Sequence, residues 1–419
     1  MKKRISLAFL LITLACRVYA QGFKTGGELR FFAHPNLNEP HVWERLGSSI
    51  QLRLKGSLTE YSAFFTAINF NYELSDSLEK VTVYPMESYV DLFLFENLDI
   101  RIGNQFIFWG KADWINPTDN INPWDYQNIS GNVQDYRIPV TAVKLDYYLS
   151  DYTSFEFVWL PIPKHNLVSM EFPRHAGSLT MITENAVEPV KKLSNSEFAV
   201  KFSSSLTPVD FSFSWFHGFD KNPSVFVGFL PSQRSAPVIS FTPHYDKRID
   251  ILGGDFITTF DKFAFKGEAA YYKTEDKNGK NIFVANKHLK YVLGIDYYFS
   301  SELTFNFQFI QDIKFNFDAE YEKSERIKYG EPIEILPRKT NESVSTRIKY
   351  SLSDFTDFQF ISVFNLRDKD YFLLPVLTHE ISDGVNIYLG GTIFGGDEYT
   401  VFGKNKKFSR AFIELKYCF

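Results

Sequence analysis

Apolar and polar residues alternate along most of this chain. Ile50, Leu52 and Leu54 alternate with Gln51, Arg53 and Lys55. Val209, Phe211, Phe213 and Trp215 alternate with Asp210, Ser212, Ser214 and Phe216. The same holds for Leu303, Phe305, Phe307 and Phe309 against Thr304, Asn306, Gln308 and Ile310, and again from Val344 to Ser351. A period of two at this density predicts β-strands. A soluble sandwich would alternate as well. Here, however, one face is heavily aromatic and the other carries charges of both signs. One face therefore suits lipid and the other water, which predicts a transmembrane antiparallel up-and-down β-barrel.

The connections alternate too. Short ones fall near Thr59-Glu60, Glu96-Asn97, Ser150-Asp151-Tyr152, Leu206-Thr207-Pro208, Asp261-Lys262, Ser300-Ser301-Glu302, Ser353-Asp354-Phe355 and Ser382-Asp383-Gly384. Long ones fall at 35–47, 109–136, 161–195, 218–243, 274–288, 312–341 and 395–406, with briefer ones at 73–80 and 366–370. Barrels have short periplasmic turns and longer outer loops, so the pattern gives about eighteen strands, with sixteen the next choice. Tyrosines precede a Ser/Asp turn three times, as in Leu145-Asp146-Tyr147-Tyr148-Leu149-Ser150-Asp151. Tyrosine suits the headgroup layer, and Ser or Asp can bond the turn's own backbone.

Composition narrows the class. The chain has 419 residues, 17% of them aromatic, and a formal charge of −5. No apolar run reaches the roughly 18 residues of a membrane-spanning helix. Lys2, Lys3 and Arg4 precede an apolar stretch at 5–15, and Val18-Tyr19-Ala20 offers a cleavage site. This predicts a signal peptide over 1–20 and a barrel over 21–419. Thr13-Leu14-Ala15-Cys16 loosely resembles a lipoprotein box and leaves that processing open. Cleavage after Ala20 would leave Cys418 as the remaining cysteine, so neither an intramolecular disulfide nor a cysteine metal cluster is expected. No cofactor motif and no basic patch for nucleic acid is evident. The last strand places Ala411, Ile413, Leu415 and Tyr417 on one side, and ends in Phe419. Tyr417 and Phe419 resemble the carboxy-terminal assembly signal of bacterial outer-membrane barrels. This implies outer-membrane lipid and the barrel-assembly machinery as partners.

Charge facing mid-bilayer lipid costs roughly 2–4 kcal/mol for Arg or Lys, so charges on strands are expected to face the lumen. Among them are Arg53, Arg101, Lys144, Lys266 and Arg347, with Asp91, Glu156, Glu268, Asp296 and Glu414. They either select a solute or pair across strands, and their mixed signs favour pairing. An enzyme barrel is the competing class, but the eight histidines are scattered and no Gly-x-Ser-x-Gly or His-Glu-x-x-His pattern occurs. A structural or adhesive barrel without an open pore remains a third reading.

The most unusual stretch is residues 103–125. It reads Gly103, Gln105, Trp109, Gly110 and Asp113, then Asn116-Pro117-Thr118-Asp119, then Asn122-Pro123-Trp124-Asp125. Carboxylates and indoles in a loop at a barrel mouth can fold inward and narrow the lumen. The plainer reading is that Asn and Asp make local turns while the Trp residues sit at the outer interface. Calcium is a third option, although the EF-hand pattern fails. The candidate constriction is Arg101, Gln105, Trp109, Asp113, Asp119 and Asp125. The pattern G-x-Q-x-x-x-W-G-x-x-D followed by N-P-x-D resembles a porin-like outer-membrane family of largely unassigned function. That resemblance implies a monomeric or homotrimeric barrel that moves or holds a small hydrophilic or lipidic solute.

Overall fold

A computed structural model describes residues 22–39, 42–75, 78–113, 115–127, 136–168, 175–176, 179–230, 238–329 and 338–419. The expected leader at 1–20, Cys16 and Trp114 lie outside these residues.

The described strands, in chain order, begin with β1 (Lys24–Pro35), β2 (Trp43–Thr59), β3 (Ser62–Ser75), β4 (Leu78–Phe95), β5 (Leu98–Gln105), β6 (Val140–Ser150) and β7 (Thr153–Leu160). They continue with β8 (His175–Ala176), β9 (Leu179–Thr183), β10 (Glu197–Leu206), β11 (Val209–Phe219), β12 (Ser224–Leu230) and β13 (Val238–His244). Next come β14 (Arg248–Phe260), β15 (Phe263–Thr274), β16 (His288–Tyr298), β17 (Leu303–Lys314) and β18 (Thr340–Ser353). The last are β19 (Thr356–Asn365), β20 (Tyr371–Ser382), β21 (Val385–Gly395) and β22 (Arg410–Cys418).

Eighteen of these pair antiparallel, each with the next, and β22 returns to β1 to close the ring. The seam runs in register from Glu28 opposite Cys418 to Ala33 opposite Ile413. Closure leaves no wall strand with an unpaired edge, which a lipid-embedded backbone requires. The remaining four, β8, β9, β12 and β13, form a separate small sheet from the long connections after β7 and β11. In it β13 runs antiparallel to β12 and parallel to β9. The connection after β17 holds a helix, Ala319–Lys328, that alternation alone does not signal. Its signature is capping chemistry: the Asp318 carboxylate accepts from the Tyr321 amide at 3.1 Å, and Arg326 pairs with Glu322 one turn back.

The short turns carry their own acceptors. Ser300 Oγ accepts from the amides of Glu302 and Leu303, each at 3.2 Å, and Thr59 Oγ1 accepts from Tyr61 at 3.1 Å. Where β4 contains Pro85, the register slips by one residue, so a residue without an amide hydrogen falls at a bulge.

Side chains follow the alternation. Leu52 and Phe213 point outward, 48% and 62% exposed, while Arg53 and Ser212 point into the barrel. One part of the expectation needs correcting, because the inner wall is not uniformly polar. Val158, Leu160, Ala199, Phe216, Ile249 and Ile251 form one buried inner cluster, and Ile361, Val363, Leu374 and Phe412 belong to another. Phe216 already stood out in the sequence as an apolar residue on a polar face, and Phe412 on β22 is a second such residue. They face protein, because something fills that side of the lumen.

The alternation of connections predicts the orientation, with the long connections outside. Lys277, in the long connection after β15, and Asp354, in the turn after β18, are both exposed. Cysteine at Lys277 is expected to react with a membrane-impermeant thiol reagent on intact cells, and cysteine at Asp354 only after lysis. Labelling of the Asp354 variant on intact cells would invert this topology.

Candidate functional site

The filling element is the segment between β5 and β6. Asn122 closes its base: its Oδ1 accepts from the Ile107 amide at 2.7 Å, and its Nδ2 donates to the Ile138 carbonyl at 2.8 Å. Both ends of the loop are thereby tied to one side chain, and its tip projects across the barrel.

Glu268, on β15, anchors the tip. Its carboxylate accepts from the amides of Lys111 (2.9 Å), Ala112 (3.0 Å) and Thr118 (2.7 Å), and from Thr118 Oγ1 (2.9 Å). Gly110 has a positive φ of 88°, and a Cβ there would lie 2.6 Å from Glu268 Oε2. Only glycine allows both that backbone conformation and that approach. The Trp-Gly pair therefore has a structural cause.

Asp113 reaches further. Its Oδ2 accepts from Lys266 Nζ (2.6 Å), Asn306 Nδ2 (2.9 Å) and Gln308 Nε2 (3.1 Å), while Oδ1 pairs with Arg347 at 3.0 Å. Arg347 lies on β18, nine strands from β5 in a ring of eighteen. The loop thus spans the lumen to the opposite wall. Beyond it, Ile115 packs against the second apolar cluster.

The six expected site residues do not converge. Asp119 is buried against Arg137 at 2.5 Å, and that guanidinium lies 4.1 Å over Trp124 and 4.6 Å over Phe108. Burial pushes the Asp119 carboxyl above its ordinary range, against the pull of Arg137. Asp125 accepts from the Gln127 amide at 3.1 Å, a local turn. Among the described residues, no three His, Cys, Asp or Glu side chains group as metal ligands. Trp109 is not at the lipid interface: it is 2% exposed and donates from Nε1 to Glu156 at 2.5 Å. Gln105 is buried and donates to the Ala142 carbonyl at 3.1 Å. Arg101 alone of the strand residues faces open lumen, paired with Asp91 at 2.7 Å and lying 3.8 Å over the Tyr89 ring. Sequence reading placed Glu268, Lys266 and Arg347 in the lumen without assigning them to the loop. The one signal was the run Lys266-Gly267-Glu268, an interior charge pair around glycine.

The loop divides the interior. On the side of β1–β5 and β22 it leaves a cavity of about 1520 Å³. This reaches from Lys55 at the turn end of β2 to Arg45 at the outer end, ten residues or about 33 Å of strand. At a strand tilt near 40° that covers about 25 Å along the barrel axis, the height of a barrel's apolar band. A second pocket of about 470 Å³ lies against the loop's other face, with Trp124, Tyr136, Phe219, Tyr272, Phe394 and Phe402 among its walls.

Residues 87–290 match a family described as "Protein of unknown function (DUF1302)". Curated protein sequences give no match. Among solved structures, Pseudomonas aeruginosa OccK7 (OpdD) aligns at TM-score 0.51 and 12% identity, covering 96% of this chain and 99% of that one. Salmonella typhi OmpF, in complex with daunomycin, aligns at TM-score 0.48 and 9% identity over 96% and 99% of the two chains. The architecture is that of a porin-like β-barrel.

Proposed function

We propose that this chain is an outer-membrane channel through which small hydrophilic solutes diffuse. The loop between β5 and β6 sets the width of the path. The observation that carries this reading is the charge-lined cavity beside the loop, which extends along β2 from the turn end to the outer end. Among the described residues, ten lysine or arginine side chains and five aspartates or glutamates surround that open space, as water and polar solutes require. Arg101 lies in the path, while Gln105, Trp109, Asp113 and Asp119 hold the loop that bounds it. In this reading residues 1–20 direct export, and Tyr417 and Phe419 direct assembly.

Purified protein in planar bilayers is expected to show stable single-channel conductance. Silence toward ions and small solutes would sink the channel reading. The aromatic pocket on the loop's far side would then favour a closed barrel that holds an apolar solute.

A further inference from the structure

The walls of the larger cavity are not balanced in charge. Among the described residues that line it, ten are lysine or arginine and five are aspartate or glutamate. The chain as a whole carries a formal −5, so the surplus belongs to this surface and not to the composition.

Pairing does not remove the surplus. Glu28 is shared by Arg30 at 2.9 Å, Arg53 at 3.3 Å and Lys416 at 2.7 Å. Glu73 is taken by Arg45 at 2.9 Å, although Lys80 is its Cα partner across the strands. Arg101 and Arg137 draw on Asp91 and Asp119, which lie outside the lining, and even with these two added the count is ten against seven. Among the described residues the ammonium groups of Lys24, Lys55 and Lys80 make no hydrogen bond or ion pair. Lys24 and Lys55 are Cα partners on facing strands, and like charges placed so repel. They stand at the turn end of the path, and Lys80 at its outer end.

The carboxylates that would counter this field are engaged elsewhere. Asp113 is saturated by Lys266, Arg347 and two amides, and Asp119 is buried under Arg137. Of the loop's carboxylates, Asp125 lines the cavity and is already among the five counted, while Asp113 and Asp119 do not line it.

We propose that the cavity is an anion path, which passes small anionic solutes such as carboxylates and phosphates in preference to cations. This rests on the channel reading above and adds the class of solute to it. A ring or line of uncompensated ammonium groups raises the local anion concentration at both mouths, and most of all at low ionic strength.

The test is reversal potential across a KCl gradient, with the full-length protein in planar bilayers. The expected sign is that of chloride preference, retained with potassium acetate and potassium phosphate. The variant Lys24→Gln, Lys55→Gln, Lys80→Gln is expected to lose several-fold of that preference while keeping its conductance, with the larger loss at low salt. Normal heat-modifiable mobility on gels certifies that the variant folds, and Lys80→Gln alone, expected to lose part of the preference, serves if the triple change does not. A wild-type channel that conducts but prefers potassium overturns the anion path and leaves the channel standing. So does a folded triple variant with unchanged preference. Absence of any conductance overturns both.

Discussion

Replacing Glu268 by alanine is expected to release the lumen-crossing loop and raise single-channel conductance several-fold. This carboxylate is the acceptor for three backbone amides and one hydroxyl of the loop. Hydrogen bonds to a charged group contribute roughly 1.5–3 kcal/mol each, and donors left unpaired in a buried site cost about 1–3 kcal/mol more. Losing four together loosens the tip around 110–118, while Asp113, Ile115 and the Tyr272 hydroxyl on the Pro117 carbonyl (2.6 Å) remain as its contacts with the wall. The ring itself is untouched, because β15 keeps its ladders to β14 and β16. Glu268→Gln is the finer probe, since it keeps the size but turns an amide toward amide donors. Conductance traces should become larger and noisier, and cleavage by added trypsin at Lys111 should appear. Unchanged conductance with Lys111 still protected would show that the loop is not held through Glu268.

The second large effect is expected at the seam. Deleting Phe419 should lower the heat-modifiable fraction recovered from outer membranes several-fold. Gly27 donates to the Phe419 carbonyl at 2.8 Å, and the Phe419 amide donates back at 3.1 Å. The aromatic ring occupies the space a side chain at position 27 would need, 2.5 Å from where that Cβ would stand. The two bonds account for about 1 kcal/mol each, a modest equilibrium loss. The larger part of the expected effect is on assembly, where the closing strand must find β1. Gly27→Ala separates the two contributions. It keeps Phe419 but brings a methyl against both the ring and the Gln51 carbonyl, each 2.5 Å from the Cβ, so strain at the β1 edge lowers its thermal stability while leaving delivery intact. Normal recovery of the deletion variant would remove Phe419 from the assembly step.

The wall was legible in the sequence for a simple reason. Lipid on one side and water on the other impose a period of two, and each strand such as 303–310 declares it locally. Turns were equally local, since Ser300 and Thr59 bond their own neighbours. The loop at 103–125 was visible as a cluster of Trp, Gly, Asn and Asp, and its position after a strand suggested an inward fold. Its partners were not legible. Glu268, Lys266 and Arg347 look like any interior charge until the ring closes and brings them opposite residue 113. The apolar inner wall was hidden as well, because one aromatic on a polar face, such as Phe216, reads locally as an exception. The partners of the Asp residues were not legible either: Asp113 pairs with Arg347 on β18, and Asp119 with Arg137.

The long reach of those struts also sets an order of events. The loop is made early in the chain, yet the groups that hold it are 150 to 234 residues later. Contacts of such separation form late, because the loop-closure entropy between them must be met first. The loop cannot dock until β15, β17 and β18 have taken their places in the wall. By the same reasoning the seam pairs of β1 and β22, 380 to 390 residues apart, form later still, so the loop can dock before the ring closes. Narrowing of the path is thus tied to the placing of β15, β17 and β18 and not to closure of the seam.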